Sequence, residues 1–81
     1  MDARETTLAL LAARAEDATV CPSEVARVLA AETGEWRDAM PGVHAAVDQL
    51  AADGLVRLSW KGRPLATRAG PYRIAWGGGR R

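Results

Sequence analysis

The sequence has one cysteine, one histidine, no acidic residue beyond Asp53, and no uncharged run longer than the nine residues from Ala39 to Val47. Each scarcity excludes something. One cysteine cannot close an internal disulfide and fits a reducing compartment. One histidine and one cysteine fall short of the four nitrogen or sulfur ligands that structural zinc takes, so no metal is expected. A membrane-spanning helix needs about twenty consecutive apolar residues, so no membrane association is expected either. Asp2 and Glu5 stand where a secretory leader would carry basic residues, which points to a cytoplasmic protein. Catalysis lacks its usual parts: there is no serine–histidine spacing and no phosphate-cradling glycine loop, since Gly77-Gly78-Gly79 lies in the tail. Neither an enzyme nor a cofactor is expected.

What is present is a globular composition, 48% hydrophobic and 26% charged over 81 residues. That length makes one small core with a radius of gyration of roughly 12 Å, not two lobes around a cleft. The net charge of +1 conceals an asymmetry. All ten acids lie in positions 1–54 with four arginines (Arg4, Arg14, Arg27, Arg37), a balance of −6. Positions 55–81 carry seven cations and no acid, a balance of +7. A coding bias accounts for ten arginines against one lysine, but not for acids that stop at Asp53. The split predicts that a polyanion meets the C-terminal part.

Hydrophobic spacing divides the chain in two. Leu8, Leu11, Ala12 and Ala15 follow helical spacing, with Asp2 or Thr6 as the cap. Ala18-Thr19-Val20 reads as an extended connector. Cys21-Pro22-Ser23-Glu24 then opens a second helix, with proline in its first position and Glu24 able to reach back to the N-cap. Val25, Val28 and Leu29 form its stripe, and Gly34 ends it. Met40-Pro41 opens a third helix whose apolar face is Val43, Val47, Leu50 and Ala51, closed by Gly54. Beyond Gly54 the period becomes two. Val56, Leu58 and Trp60 alternate with Arg57 and Ser59, and Tyr72, Ile74 and Trp76 alternate with Arg73. Lys61-Gly62-Arg63-Pro64 reads as the turn between these strands.

The expected elements are helices near 4–16, 22–33 and 41–53 and antiparallel strands near 55–60 and 71–76. Residues 1–76 then form one domain and 77–81 a disordered Gly/Arg tail. Three helices followed by a two-stranded antiparallel wing is the order of a winged helix-turn-helix, mainly α with a small β-hairpin. Its expected core joins Leu8, Leu11, Val25, Leu29, Val43, Val47 and Leu50 to Val56, Leu58, Trp60, Tyr72 and Ile74. Trp36 and Trp60 are expected to pack inward and Trp76 to be exposed.

The runs Cys21-Pro22-Ser23-Glu24-Val25-Ala26-Arg27, Trp36-Arg37-Asp38-Ala39-Met40-Pro41 and Gly70-Pro71-Tyr72-Arg73-Ile74 resemble a family of small bacterial winged-helix proteins catalogued as a domain of unknown function. The resemblance covers about residues 5 to 76. It implies the winged-helix fold, and DNA binding by analogy with other winged helices.

The basic hairpin is the leading candidate site. Lys61, Arg63 and Arg68 fall between the strands and Arg57 and Arg73 share the solvent face, placed to neutralise phosphates of double-stranded DNA. In the third helix only His44 and Gln49 offer base or phosphate contacts, while Asp48 and Asp53 repel phosphate. Cys21 reads as an N-cap residue. The expected function is a small transcription- or nucleoid-associated DNA-binding module. The alternative is a winged helix that associates with a protein partner or a second copy and has no nucleic-acid role.

Overall fold

A computed structural model describes residues 2–15, 17–68 and 70–77. Its elements run α1 (Ala3–Ala12), α2 (Pro22–Leu29), α3 (Trp36–Ala52), β1 (Val56–Trp60), β2 (Arg63–Leu65) and β3 (Arg73–Trp76). The strands form one antiparallel sheet in the order β2-β1-β3, and the radius of gyration is 11.8 Å. No helix among the described residues is long and apolar enough to cross a membrane.

Local chemistry explains where each helix begins. Asp2 accepts from the Glu5 N–H at 2.8 Å and Glu5 accepts from the Asp2 N–H at 3.2 Å, a reciprocal cap at the start of α1. At the start of α2, Glu24 accepts from the Cys21 N–H at 2.8 Å, and Pro22 occupies a position where no donor is needed. The end of α3 is closed by Gly54, whose φ of 77° lets the Gly54 and Leu55 N–H groups reach the carbonyls of Ala51 and Leu50, each at 3.0 Å.

Three boundaries differ from the sequence pattern. α1 ends at Ala12, short of the expected 16. α2 ends at Leu29, and turns carry the chain to Gly34, whose N–H donates to the Ala30 carbonyl at 2.8 Å. α3 starts at Trp36, so Pro41 lies inside the helix where it was expected to open it. A proline there removes the bond that would have run to the Arg37 carbonyl and presses its ring toward that carbonyl, in the second turn of the helix.

The sheet has three strands where two were expected. β2 pairs with β1 through Leu58↔Leu65, Ser59↔Pro64 and Trp60↔Arg63. Pro64 is compatible with this because β2 is an edge strand, where an absent N–H breaks no ladder. The Lys61-Gly62 turn has φ of 52° and 80°, the two positive values that a tight two-residue hairpin loop requires. On its other side β1 pairs with β3 through Leu58↔Ile74 and Ser59↔Arg73. Val20 exchanges two hydrogen bonds with Ile74, both 2.8 Å, which brings the α1–α2 connector to the far edge of β3.

The core gathers Leu11, Val20, Val25, Ala26, Val43, Val47, Leu50, Val56, Leu58, Tyr72 and Ile74. Leu8, Leu29, Trp36 and Trp76 pack against it half-buried. Val28, expected in the stripe of α2, and Trp60, expected in the core, lie outside it. Val28 is 50% exposed, because Pro22, Val25, Ala26 and Leu29 form the inner stripe of α2 and Val28 falls on its flank. Trp60 is 37% exposed at the end of β1. Trp76, expected to be exposed, is half-buried. Gly77 donates to the Leu55 carbonyl at 2.8 Å, and a side chain there would run into the Gly54 carbonyl. The rest of the expected tail, 78–81, lies outside the described residues.

Two stability effects follow. Leu50 is fully buried at the centre of the α3 stripe, so Leu50→Ala should cost ~2–5 kcal/mol. A thermal melt should move down by at least about 10 °C for a domain of this size. Lys61 is the one non-glycine residue with positive φ among those described. Lys61→Asn should recover part of the roughly 1–2 kcal/mol that the left-handed conformation costs and raise Tm by a few degrees. An unchanged or lower Tm would show that the turn is not strained.

Candidate functional site

The cations expected to act together are distributed by the strand register and by two tertiary bonds. Arg57 and Arg73 share the outer face, since Arg57 pairs with Ala75 and Ser59 with Arg73. Arg57 is exposed there. Arg73 is half-buried and donates to the Thr19 hydroxyl at 2.6 Å. Lys61 sits exposed in the turn. Arg63 pairs with Trp60 across the ladder and so belongs to the opposite face from Arg57.

Arg68 is drawn off to α3. Its guanidinium donates to both oxygens of Asp48, at 2.8 and 2.9 Å, the two-point geometry that suits a planar fork and a carboxylate. The hydrogen bond from Arg68 holds the Asp48 carboxyl below its usual range. Asp53, the other acid of this helix end, is paired with Arg4 at 3.2 Å. Arg14 likewise grips Glu24 at 3.0 and 3.1 Å. Among the described residues no ion pair engages Arg57, Lys61 or Arg63.

The two α3 residues expected to contact bases face different neighbours. At 100° per residue, His44 and Gln49 are separated by about 140° around the axis. Gln49 is exposed beside Gly42, Ala45 and the start of α1. His44 turns toward the strand side, where its Nδ1 lies 2.7 Å from the Tyr72 hydroxyl with the rings tilted at 52°. Burial, with help from the Arg68 charge and against Asp48, holds the His44 imidazole below its usual range. Burial also pushes the Tyr72 hydroxyl up to about 12.

His44 and Tyr72 belong to a groove of about 400 Å³. Trp36, Met40 and His44 come from successive turns of one side of α3, Cys21 to Ser23 from the start of α2, and Trp60 and Gly70 to Tyr72 from the sheet side. The three sequence runs that carry the family resemblance all send residues into it. The Arg27 and Arg37 guanidiniums each lie 4.5 Å from the Trp36 ring centroid. Cys21 Sγ lies 3.0 Å from Ser23 Oγ. Sequence reasoning missed this groove because it assigned Trp36 and Trp60 to the core. The four-residue spacing of Trp36, Met40 and His44 was the signal that could have found it. Among the described residues no three His, Cys, Asp or Glu side chains gather at one point.

The titration of the His44–Tyr72 pair sets a pH window. Unfolded His44 takes a proton near pH 6.5, the native residue only at lower pH, so stability is lost as pH falls below about 6.5. Tyr72 acts at the other end: its native state resists ionisation up to about 12, so stability is lost as pH rises above 10.0. His44→Gln, which keeps a partner for the Tyr72 hydroxyl, should flatten the fall in Tm between about pH 7 and pH 5.5. An equal fall in wild type and variant would remove His44 from this role.

Comparison with curated proteins gave no match. A family model matches residues 1–77, nearly the whole chain, and by that match the chain belongs to the family described as Protein of unknown function (DUF3253).

Proposed function

We propose that the chain is a winged-helix module that binds double-stranded DNA through the exposed cations of its hairpin, with no catalytic role. The order of elements supports this reading. Helix, extended connector, two further helices and a hairpin follow one another, and the connector residue Val20 pairs with β3, as the first strand of a winged helix does. The short strand β2 lies within the wing, between its turn and β3.

One observation carries the reading: Arg57, Lys61 and Arg63 are exposed and free of ion pairs among the described residues, in a stretch with no acid. Asp48 and Asp53 do not oppose them as free charges, because both are already paired. Contacts to phosphate by such cations position a protein on DNA without selecting a sequence. The separation of His44 from Gln49 around α3 agrees with binding led by phosphate. In this reading Arg68 is neutralised by Asp48, and Arg73, held by the uncharged Thr19, supplies field rather than a direct contact.

Protein association is the second reading, favoured by Val28, which stands 50% exposed on α2. A mobility-shift titration with mixed-sequence duplex at several salt concentrations separates the two. Three phosphate contacts predict a slope of log affinity against log salt of about −3. Changing Lys61 and Arg63 together to alanine should weaken binding to all sequences alike and flatten that slope by about two. If the double variant binds as tightly as wild type at low salt, the wing is not the DNA contact. If wild type itself fails to shift duplex, the association reading takes its place.

A further inference from the structure

Trp60 is the large aromatic side chain that the core leaves out. It stands 37% exposed at the end of β1 and forms one wall of the groove between α2, α3 and the segment leading into β3. Two guanidinium groups already lie against Trp36, and Tyr72 is buried and bonded to His44. Among the described residues nothing comparable covers the Trp60 ring. An exposed indole beside an apolar recess is a surface on which a flat ring can stack.

Charge selects the kind of ring. Arg63 is the cross-strand partner of Trp60 and projects on the same face, and Lys61 follows Trp60 directly in the turn. Arg27 and Arg37 stand at the Trp36 end of the groove. Asp48, one turn after His44 on α3, is held by Arg68. A proline-rich peptide also docks on aromatic grooves, but it brings no negative charge to match these cations. Nucleic acid brings flat rings and phosphates together. Within a duplex each base is already stacked and paired, whereas unpaired bases are free to stack on an aromatic side chain between cationic neighbours.

We propose that Trp60 and its groove hold an unpaired base of a single-stranded nucleic acid, with Lys61 and Arg63 on the adjoining phosphates. The inference shares these two cations with the duplex reading but stands on a separate observation, the exposed indole. The experiment keeps the two apart by measuring the affinity of the full chain for a labelled oligothymidylate of about ten nucleotides and for a duplex in parallel. Trp60→Ala should weaken single-strand binding about 5- to 150-fold and leave duplex affinity within about twofold. Trp60→Phe should retain most of the single-strand affinity. Arg57→Ala, on the outer face, should affect the duplex alone.

A wild-type measurement guards against a variant that misfolds. Irradiation with a strand carrying 5-bromouracil should crosslink the peptide that contains Trp60. Crosslinks confined to other peptides would overturn the proposal, as would an unchanged single-strand affinity in Trp60→Ala. Thymidine monophosphate binding as tightly as the oligomer would make the groove a small-molecule site, and a proline-rich peptide displacing the strand would make it a peptide site. Either result overturns the strand reading. Loss of duplex binding alone would remove the wing reading and leave this one standing.

Discussion

Two hydrogen bonds between Val20 and Ile74, each 2.8 Å, hold together parts of the chain more than fifty residues apart. Both residues are fully buried, so their backbone groups must pair with each other or go unsatisfied at a cost. Ile74 also pairs with Leu58 on its other side, which places β3 between β1 and the α1–α2 connector. The helices are thereby joined to the sheet at its edge as well as through the core. Period-two geometry then assigns the neighbours. Tyr72 is carried inward to His44, while Arg73 turns outward and meets Thr19, the residue before Val20.

The same arrangement sorts the charges. The formal balance of the C-terminal third describes a uniform basic segment, yet folding draws Arg68 to Asp48 and Arg73 to Thr19. Arg4 and Arg14 similarly take up Asp53 and Glu24 from within the acidic two thirds. Of the cations on β1, its turn and β2, Arg57, Lys61 and Arg63 are left without an ion pair among the described residues, Arg57 near the start of β1 and Lys61 and Arg63 at its far end. The two sheet faces divide even these, because Arg57 and Arg63 project on opposite sides. A single basic surface becomes two, one on the bare outer face and one beside an exposed indole.

α3 serves three surroundings at once. Val43, Val47 and Leu50 fill the core, Trp36, Met40 and His44 line the groove, and Gln49 stands beside α1. Its early start at Trp36 is what permits this, since a helix opening at Pro41 would not carry Trp36 and Met40 on the same side as His44. The proline inside it costs one backbone bond, to the Arg37 carbonyl, in the second turn.

Element order and most of the core were legible in the sequence, because they depend on local periodicity and local caps. Leu11, Val25, Val43, Val47, Leu50, Val56, Leu58, Tyr72 and Ile74 are all buried as their spacing predicts. Glu24 and Gly54 act at the helix ends as expected, whereas Gly34 lies beyond the turns that follow α2. β2 was not legible: three residues with a central proline have no alternation to read, and only the neighbouring strand makes them a ladder. Trp60 has the inward period of Val56 and Leu58, but period gives the face of a residue and not how far the helices extend over it. Arg68 and Asp48 are twenty residues apart with no local pattern to link them, so their pairing arises only when the return segment passes over α3. Local backbone preferences act between near neighbours and can be read along a chain. Burial depth and long-range pairing depend on which surfaces the fold brings together, and those exist only once it has formed.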